Sequence, residues 1–383
     1  MTRHGTKNLI VFIDSLPFSY GERMPHASNY PLKLKVQPGL GYSLNIHWEI
    51  FGGLTPDQIG FFNEWTYDPV RAPLRGLAFM APLFRLIRRE SYWYRGLRRL
   101  SRDLFDYEMG DIPPEKLCYF RRNGETLISR NGPNGAYKRS TKYRSVLDGK
   151  SLKVILPRTI CKGLRDKDVY EQAKGQLTGD HHLLLWFPDL DSVGHQYGVG
   201  SAEYDEHVRD LGNWVEELKN IAQHHHNFDN VLIFSDHGMA NVHSEISLDL
   251  DENIGKTGNH SYQYFFDSTI LRVWINNLQY LSRIQEYIGG LKYGKILSPG
   301  VRGSKGVASK RFGDLIFVLD EGVIFNPATI FANQKGATKA MHGYMPELES
   351  QKGILLSSNK NKWGDEQIST LHLCELLKDL LRE

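Results

Sequence analysis

The chain has 383 residues, of which 40% are hydrophobic and 24% are charged, and its formal net charge is only +3. This composition predicts a large globular core, in one α/β domain with insertions or in two domains, and the small net charge does not indicate a protein that binds a nucleic-acid duplex. The three cysteines form no CxxC pair, the N-terminus lacks the pattern of a signal peptide, and no apolar run approaches the roughly 18 residues of a membrane-spanning helix. We therefore expect a cytoplasmic protein with neither a transmembrane segment nor a disulfide framework.

Short apolar runs along the chain have the pattern of buried strands. They cover residues 9–13, 183–187, 231–234 and 354–356 and are apolar at every position, which is typical of parallel strands buried on both faces. Helical stripes of apolar residues occur at about 201–222 and 365–381. This alternation predicts an α/β fold with a doubly wound, mostly parallel sheet flanked by helices.

Two segments do not follow this pattern and are predicted to be insertions. Residues 70–150 would form a basic, aromatic cap, and a smaller insertion at about 279–311 would interrupt a core made of residues 1–69 and 151–383. Between residues 71 and 105, nine Arg stand against one Glu and one Asp, a local charge of +7, and apolar and aromatic residues are interleaved with them. Such a segment suits three roles: a helical cap with a solvated basic face, a binding surface for an anionic substrate, or a peripheral membrane contact.

Acidic residues and histidines follow several of the predicted strands, and ligands of open parallel sheets bind at the carboxyl ends of the strands. No cluster alone establishes a site. Together they offer three Asp and three His, a set that suits two divalent ions, Zn²⁺ or Mn²⁺, with open positions. Ser43 adds a hydroxyl that is a candidate nucleophile for cleavage of a phosphate ester. The candidate ligands are Asp14, Asp191, His195, Asp236, His237 and His342.

These motifs resemble the alkaline phosphatase superfamily, and most closely its type I phosphodiesterase/nucleotide pyrophosphatase branch. The resemblance rests on Gly-Leu-Thr-Pro-Asp at 53–57, Asp-Ser-Val-Gly-His at 191–195, Asp-His-Gly-Met at 236–239 and His-Gly-Tyr at 342–344, and it does not extend to residues 70–150. It implies an alkaline-phosphatase-like fold that binds two metal ions. One ion would be held by Asp191, His195 and His342, and the other by Asp14, Ser43, Asp236 and His237.

The nucleophile position departs from the usual pattern of this branch. Ser43 takes that position by its ten-residue distance from Gly53, but Ser-Leu-Asn-Ile stands at 43–46 where the branch usually has Thr-Phe-Pro-Asn. Asn45 is therefore either a substrate-binding residue that donates a hydrogen bond to a phosphoryl oxygen or a turn residue. Asn63 is a second candidate donor to the substrate.

We expect a metal-dependent hydrolase that cleaves a phosphodiester or pyrophosphate bond through a phospho-serine intermediate on Ser43. The same residues also suit a phosphomonoesterase or a phospho-group transferase. A third hypothesis is an inactive binding protein, and the complete ligand set argues against it. The expected partner is a phosphate ester linked to a nucleotide, a sugar or a lipid, and the sequence does not distinguish these three.

Overall fold

The computed structural model describes residues 6–84, 92–93, 96, 99, 112–123, 127–129, 138–139, 142–158, 163–258, 260–329, 337–359 and 366–382. The chain forms two compact units. The first contains Met1–Leu54, Leu127–Val242 and Thr338–Glu383, and the second contains Thr55–Thr126 and His243–Ala337. These units do not follow the predicted boundaries at 69/70 and 150/151. Much of the predicted cap at 70–150 lies outside the described residues, so that domain division stays a prediction.

A seven-stranded sheet forms the centre of the first unit. From one edge to the other, its strands are Gln367–Ser369, Leu32–Gln37, Gly353–Ser357, Asn230–Phe234, Asn8–Ile13, His182–Phe187 and Leu152–Ile155. Six strands run parallel, and Gly353–Ser357 runs antiparallel to both of its neighbours. The mostly parallel α/β sheet is confirmed. The prediction of a parallel strand at 354–356 is wrong, because an all-apolar run indicates burial on both faces but not direction.

The central strand Asn8–Ile13 supplies side chains to two layers of the core. Leu9, Val11 and Ile13 pack with apolar residues of the helices that cover one face. On the opposite face, Phe12 packs edge-on against Phe51, with 5.6 Å between the ring centroids. This strand is therefore buried on both faces, as its uninterrupted apolar sequence predicts.

The α-helices of the first unit are Phe18–Gly21, Ser43–Gly52, Arg165–Lys174, Asp189–Tyr197, Ala202–His226 and Thr370–Leu380. Its short 3-10 helices are Ala27–Asn29, Val146–Asp148 and Glu349–Gln351, and its two-residue strands pair Ile128–Ser129 with Lys138–Arg139 and Ala240–Asn241 with Ala340–Met341. The helix predicted at 201–222 is longer than expected. It starts where Ser201 Oγ accepts a hydrogen bond from Tyr204 N at 3.1 Å, and it ends at Asn227, whose left-handed backbone stops the helix.

The second unit is built around a four-stranded antiparallel sheet. Its strands, in spatial order, are Tyr262–Asp267, Ile270–Ile275, Leu315–Leu319 and Gly294–Ile296. Two further strand pairs join Trp65–Tyr67 with Phe120–Arg122 and Ser244–Ile246 with Val323–Phe325. The helices are Pro56–Ile59, Arg75–Met80 (3-10), Ala81–Phe84, Pro114–Cys118 (3-10), Leu250–Asn253, Leu278–Tyr280 (3-10), Leu281–Gly289, Pro299–Ser304 and Lys310–Phe312 (3-10). The segment predicted as a small insertion at 279–311 thus supplies an edge strand and two α-helices to this unit.

Among the described residues, no helix combines the length and the apolar character needed to cross a membrane.

Candidate metal centre

Three of the predicted ligands lie just beyond the carboxyl ends of two adjacent parallel strands in the first unit. Asp14 directly follows Asn8–Ile13, and Asp236 and His237 follow Asn230–Phe234 after one intervening residue. Asp14 N donates to Phe187 O at 2.9 Å, which extends the strand pairing to the position of the carboxylate. The sequence-based expectation that these clusters converge at the carboxyl edge agrees with this geometry.

Asp14, Asp236 and His237 form one compact group of potential metal ligands. One ligand atom from each lies within 4.8 Å of the others. His237 Nε2 is 3.3 Å from Asp236 Oδ2 and 3.8 Å from Asp14 Oδ1. Ser43 Oγ lies 3.0 Å from the same nitrogen, at the first residue of the helix Ser43–Gly52. The candidate nucleophile therefore stands at this group and at a helix N-terminus, where the helix dipole favours negative charge.

A second group of potential ligands contains Asp191, His237 and His342, with ligand atoms again within 4.8 Å of one another. Asp191 and His195 lie one turn apart on the helix Asp189–Tyr197, as the spacing of the motif predicts. Asp191 Oδ1 is 3.3 Å from His195 Nε2 and 3.6 Å from His342 Nε2. One carboxylate oxygen thus brings the predicted trio of Asp191, His195 and His342 together.

His237 belongs to both groups, whereas the family resemblance implies that it serves one ion. Its ring stacks on that of His342, with 4.0 Å between the ring centroids. The two groups are therefore adjacent, and the structure brings all six predicted Asp and His ligands together with Ser43. Which ligand serves which ion stays a prediction.

Backbone carbonyls orient two of the imidazoles. His195 Nδ1 is 2.8 Å from Ala340 O, and His237 Nδ1 is 2.9 Å from Gly238 O. Because a carbonyl oxygen only accepts, each Nδ1 carries the hydrogen, and in the neutral ring each Nε2 has a free lone pair. Burial, followed by the neighbouring His237, lowers the pKa of His342 well below its usual value. His342 is therefore prepared as a neutral nitrogen ligand, and the Nδ1 bonds of His195 and His237 turn their Nε2 atoms toward the carboxylates.

The carboxylates carry negative charge that the described residues do not fully compensate. Asp14 Oδ1 is buried and has no hydrogen-bond partner among the described residues. Burial, and then the carboxylates of Asp236 and Asp191, raise the pKa of Asp14 well above its usual value. Burial also opposes ionisation of Asp236, but His237 and other neighbours outweigh it and lower the pKa of Asp236. A bound cation would relieve the repulsion at Asp14.

The donor set fits divalent metal ions. It combines carboxylate oxygens, imidazole Nε2 atoms that face them and a serine hydroxyl. Two buried carboxylate oxygens, Asp14 Oδ1 and Asp191 Oδ1, have no hydrogen-bond partner among the described residues. Mixed oxygen and nitrogen sets of this kind suit Zn²⁺ and Mn²⁺. The identity of the metal stays a prediction.

His47 is part of this site and was not predicted from the sequence. Its Nε2 is 3.1 Å from Asp236 Oδ2, the carboxylate oxygen that also faces His237. The other oxygen, Asp236 Oδ1, accepts from the backbone N–H groups of Ser15 and His237 at 3.1 and 3.0 Å. The spacing could have revealed it, because His47 lies four residues after Ser43 and therefore on the same helix face.

The two asparagines predicted to bind substrate lie in different units. Asn45 is fully buried. Its Oδ1 accepts from Tyr42 N at 3.2 Å, and its Nδ2 donates to Leu40 O at 3.0 Å. Both ends of the amide are thus used to shape the turn before the helix, which is the alternative role that the sequence left open. Asn63 belongs to the second unit, where it is buried with a left-handed backbone, and its role in binding substrate stays a prediction.

A buried charge network holds the start of the helix that carries Asp191 and His195. Asp166 and Asp189 bond reciprocally: each carboxylate accepts from the other's backbone N–H at 3.0 Å. Arg165 Nε donates to Asp189 Oδ1 at 2.5 Å, and its Nη2 donates to Ser192 Oγ at 3.0 Å. His207 Nε2 is 2.8 Å from Asp166 Oδ2. This network joins three helices and fixes the helix end next to the second ligand group.

Comparisons with known proteins agree with the geometry of the site. Residues 118–345, more than half of the chain, match the family model for type I phosphodiesterase / nucleotide pyrophosphatase. Two curated relatives are ectonucleotide pyrophosphatase/phosphodiesterase family member 7 of Rattus norvegicus and of Mus musculus. The rat protein is 29% identical over 124 residues, which is 32% of this chain and 24% of the relative. The mouse protein is 30% identical over 140 residues, which is 36% of this chain and 27% of the relative. These alignments therefore span about a quarter of each relative.

Solved structures with the same fold cover nearly the whole chain. Murine ectonucleotide pyrophosphatase / phosphodiesterase 5, solved as an inactive variant in complex with AMP, superposes with a TM-score of 0.64 at 15% identity, covering 98% of this chain and 95% of that one. The human protein of the same name gives a TM-score of 0.61 at 15% identity, with the same coverage. At this identity the likeness concerns the fold. Taken with the family match, it shows that the chain belongs to the type I phosphodiesterase/nucleotide pyrophosphatase family of hydrolases in the alkaline phosphatase superfamily.

Proposed function

We propose that the protein hydrolyses a phosphodiester or pyrophosphate bond in a reaction that depends on two divalent metal ions and forms a phospho-serine on Ser43. The observation that carries this proposal is the position of Ser43. Its Oγ lies 3.0 Å from His237 Nε2, within a cluster of three carboxylates and three further imidazoles. An isolated serine hydroxyl is a weak nucleophile, and this cluster supplies the surroundings that activate one.

The metal ions would be held by the six predicted Asp and His ligands together with Ser43. Bound there, they would supply positive charge that stabilises the phosphoryl oxygens and the oxygens that attack and leave. The preference between Zn²⁺ and Mn²⁺ is part of the test below.

The residues of the chain suit a two-step transfer. Ser43 Oγ forms a bond to phosphorus as the bond from phosphorus to the leaving oxygen breaks, and the serine proton passes to the surrounding bases and solvent. A water molecule then attacks the phospho-serine, releases the phosphate product and restores the hydroxyl. The N-terminus of the helix Ser43–Gly52 favours the negative phosphoryl group in both steps.

We propose a phosphate ester that carries a nucleotide as the first substrate class to test. The name of the family and the AMP complex of the murine relative support this choice. Sugar-linked and lipid-linked phosphodiesters use the same reacting bonds, and a transferase differs only in that an alcohol replaces water as acceptor. These are alternative outcomes of a substrate panel.

We further propose a reducing, cytoplasmic location. In the described part of the chain, Cys118 and Cys374 are buried and form no disulfide, which supports such a compartment.

The test compares bis-p-nitrophenyl phosphate with p-nitrophenyl phosphate, using protein stripped of metal and then given Zn²⁺ or Mn²⁺. Activity that returns with metal and favours the diester supports the proposal, whereas preference for the monoester would replace it with a phosphatase. No return of activity on either ester, or on a nucleotide panel, with metal bound would overturn the proposed hydrolysis.

Two serine variants test the nucleophile. Ser43→Ala should lower kcat by at least about a thousandfold, because it removes the attacking oxygen. The metal content should be retained, because the six Asp and His ligands remain. Ser28→Ala, at an exposed serine of the same unit, is the matched control and should behave like the unmodified protein. Near-normal turnover by Ser43→Ala would remove Ser43 as the nucleophile.

A third variant tests the ligand set. Asp236→Asn should lose metal and activity together, because it removes a charged ligand from the first group. Full metal occupancy in this variant would show that the ligand has been assigned wrongly.

A further inference from the structure

A buried serine lies between two turns that carry predicted metal ligands. Ser235 directly precedes Asp236 and is fully buried. Its hydroxyl accepts a hydrogen bond from Leu16 N at 2.8 Å and donates one to His237 O at 2.9 Å. This single side chain therefore connects the turn after Asp14 with the turn that contains Asp236 and His237.

A second hydrogen bond joins the same two turns. Ser15 N donates to Asp236 Oδ1 at 3.1 Å, and the backbone of Ser15 is left-handed, with a φ of 63°. Residues other than glycine rarely adopt this conformation, and it persists only where the surrounding contacts hold it. The turn after Asp14 therefore depends on its contacts with the facing turn, of which the bond from Leu16 to Ser235 is one.

The carboxylate of Asp14 takes its position from this backbone. Asp14 Oδ1 is buried and accepts no hydrogen bond from the described residues. In contrast, Asp236 is held at both oxygens, since Oδ1 accepts from two backbone N–H groups and Oδ2 faces His47 Nε2 at 3.1 Å. The path of the chain on either side of Asp14 therefore sets the distance from its carboxylate to His237, which is 3.8 Å from Oδ1 to Nε2.

Two anchors hold the chain around Asp14. Asp14 N itself donates to Phe187 O at 2.9 Å, which is a contact between backbone groups. Two residues later, Leu16 N donates to the hydroxyl of Ser235, and this contact depends on one side chain. The second anchor can therefore be removed by a single substitution that changes no ligand.

We propose that Ser235 is a positioning residue, which fixes Asp14 relative to His237 through its two hydrogen bonds. Both bonds go to backbone groups, so Ser235 acts through the ligands and not on the ion. Contacts of this kind behind the ligands change metal affinity by about 10- to 100-fold. The positioning role rests on the proposed binding of divalent ions by these ligands, and the experiment below separates the two.

The experiment measures Zn²⁺ affinity by competition with a chelator, in the absence of denaturant. Ser235→Ala should bind Zn²⁺ at least about tenfold more weakly, because Asp14 and His237 lose their common anchor. The midpoint of urea unfolding of the metal-free protein should also fall, because a buried donor and a buried acceptor lose their partner. Ser235→Cys nearly keeps the size of the side chain but makes weaker hydrogen bonds, so its loss of affinity should be smaller. It also carries the test if the alanine variant does not fold.

Ser369→Ala is the matched control. Ser369 Oγ accepts from His372 N at 3.2 Å and caps the helix Thr370–Leu380, and Ser369 lies on the edge strand of the same sheet. Removing this hydroxyl also takes an acceptor from a backbone N–H, so the urea midpoint should fall. The Zn²⁺ affinity should not change, because two strands separate Ser369 from the strand that precedes Asp236.

Unchanged Zn²⁺ affinity in both Ser235 variants, with normal binding by the unmodified protein, would overturn the positioning role and leave Ser235 as a stabilising residue. A loss of affinity in Ser369→Ala equal to that in Ser235→Ala would also overturn it, because the loss would then follow general destabilisation. If the unmodified protein binds neither Zn²⁺ nor Mn²⁺, the proposed metal centre fails, and the positioning role fails with it.

Discussion

The network around Asp189 allows a sharp test of how the metal centre is positioned. Asp189 is fully buried, and it accepts from Arg165 Nε at 2.5 Å and from Asp166 N at 3.0 Å. It lies two residues before Asp191 on the helix Asp189–Tyr197. Asp189→Asn keeps the shape of the side chain but offers only one oxygen acceptor. Its NH₂ group must then face one of the two donors, and the helix end loses one of its anchors.

The size of the effect follows from these two bonds. A hydrogen bond to a charged group contributes about 1.5–3 kcal/mol, and a buried donor left without a partner costs about 1–3 kcal/mol. The Arg165 side chain keeps one-fifth of its surface in solvent, which reduces the first contribution. We expect Asp189→Asn to lower the free energy of unfolding of the metal-free protein by about 3 kcal/mol. Misplacement of Asp191 and His195 should lower metal affinity by about tenfold.

Two measurements separate a positioning role from a purely structural one. Urea unfolding of the metal-free protein gives the stability, and competition with a chelator gives the metal affinity. Asp180→Asn is the control, because the Asp180 side chain is 94% exposed, and it should change neither quantity. A loss of stability with unchanged metal affinity would refute the positioning role of Asp189. No loss of stability would refute the network itself.

Three further predictions concern single residues. His47→Gln should lower metal affinity by about tenfold or more in the chelator competition, because Asp236 Oδ2 loses the contact at 3.1 Å that orients it. Unchanged affinity would show that His47 only packs there. Gly238→Ala should destabilise the protein by about 3 kcal/mol or more in urea unfolding, because the new Cβ would lie 2.1 Å from the backbone carbonyl oxygen of Ser350. An unchanged unfolding midpoint would contradict this close approach. Burial raises the pKa of Cys118 to about 12 and that of Cys374 to about 11, so neither thiol should react with Ellman's reagent in the folded protein at pH 8. Rapid labelling of either cysteine, located by mass spectrometry, would contradict this prediction.

Sequence patterns located the centre of the sheet well and its edges poorly. The strands Asn8–Ile13, His182–Phe187 and Asn230–Phe234 are adjacent and buried on both faces, and each is continuously apolar after its first residue, which is the pattern expected of central parallel strands. Leu32–Gln37 was not predicted because lysines interrupt its apolar residues. Gln367–Ser369 is a polar edge strand of three residues, too short to show a period. Burial on one face or at an edge leaves a weaker signal than burial at the centre.

The same limit applies to the site. Ligands that directly follow a central strand, such as Asp14 and Asp236, could be predicted because the strand itself is easily recognised. Asn45 could not be assigned, because its role depends on which backbone groups lie within reach, and the sequence does not contain that distance. His47 was missed although its spacing from Ser43 places both residues on one helix face. The spacing does not show its contact with Asp236, which depends on the packing of that helix against the sheet.

The one antiparallel strand explains how His342 reaches a site built at the carboxyl ends of parallel strands. Because Gly353–Ser357 runs opposite to Asn230–Phe234, its first residue lies at the edge where its neighbour ends. The residues before it are therefore delivered to the ligand edge. Gln351 Oε1 accepts from the backbone N–H groups of Gly343 and Tyr344 at 3.0 and 3.3 Å, which ties the loop after His342 to the start of this strand. A parallel strand at this place would begin at the opposite edge, and the loop would have to cross the sheet to bring His342 beside Asp191. The reversed strand is thus the feature of the topology that completes the ligand set.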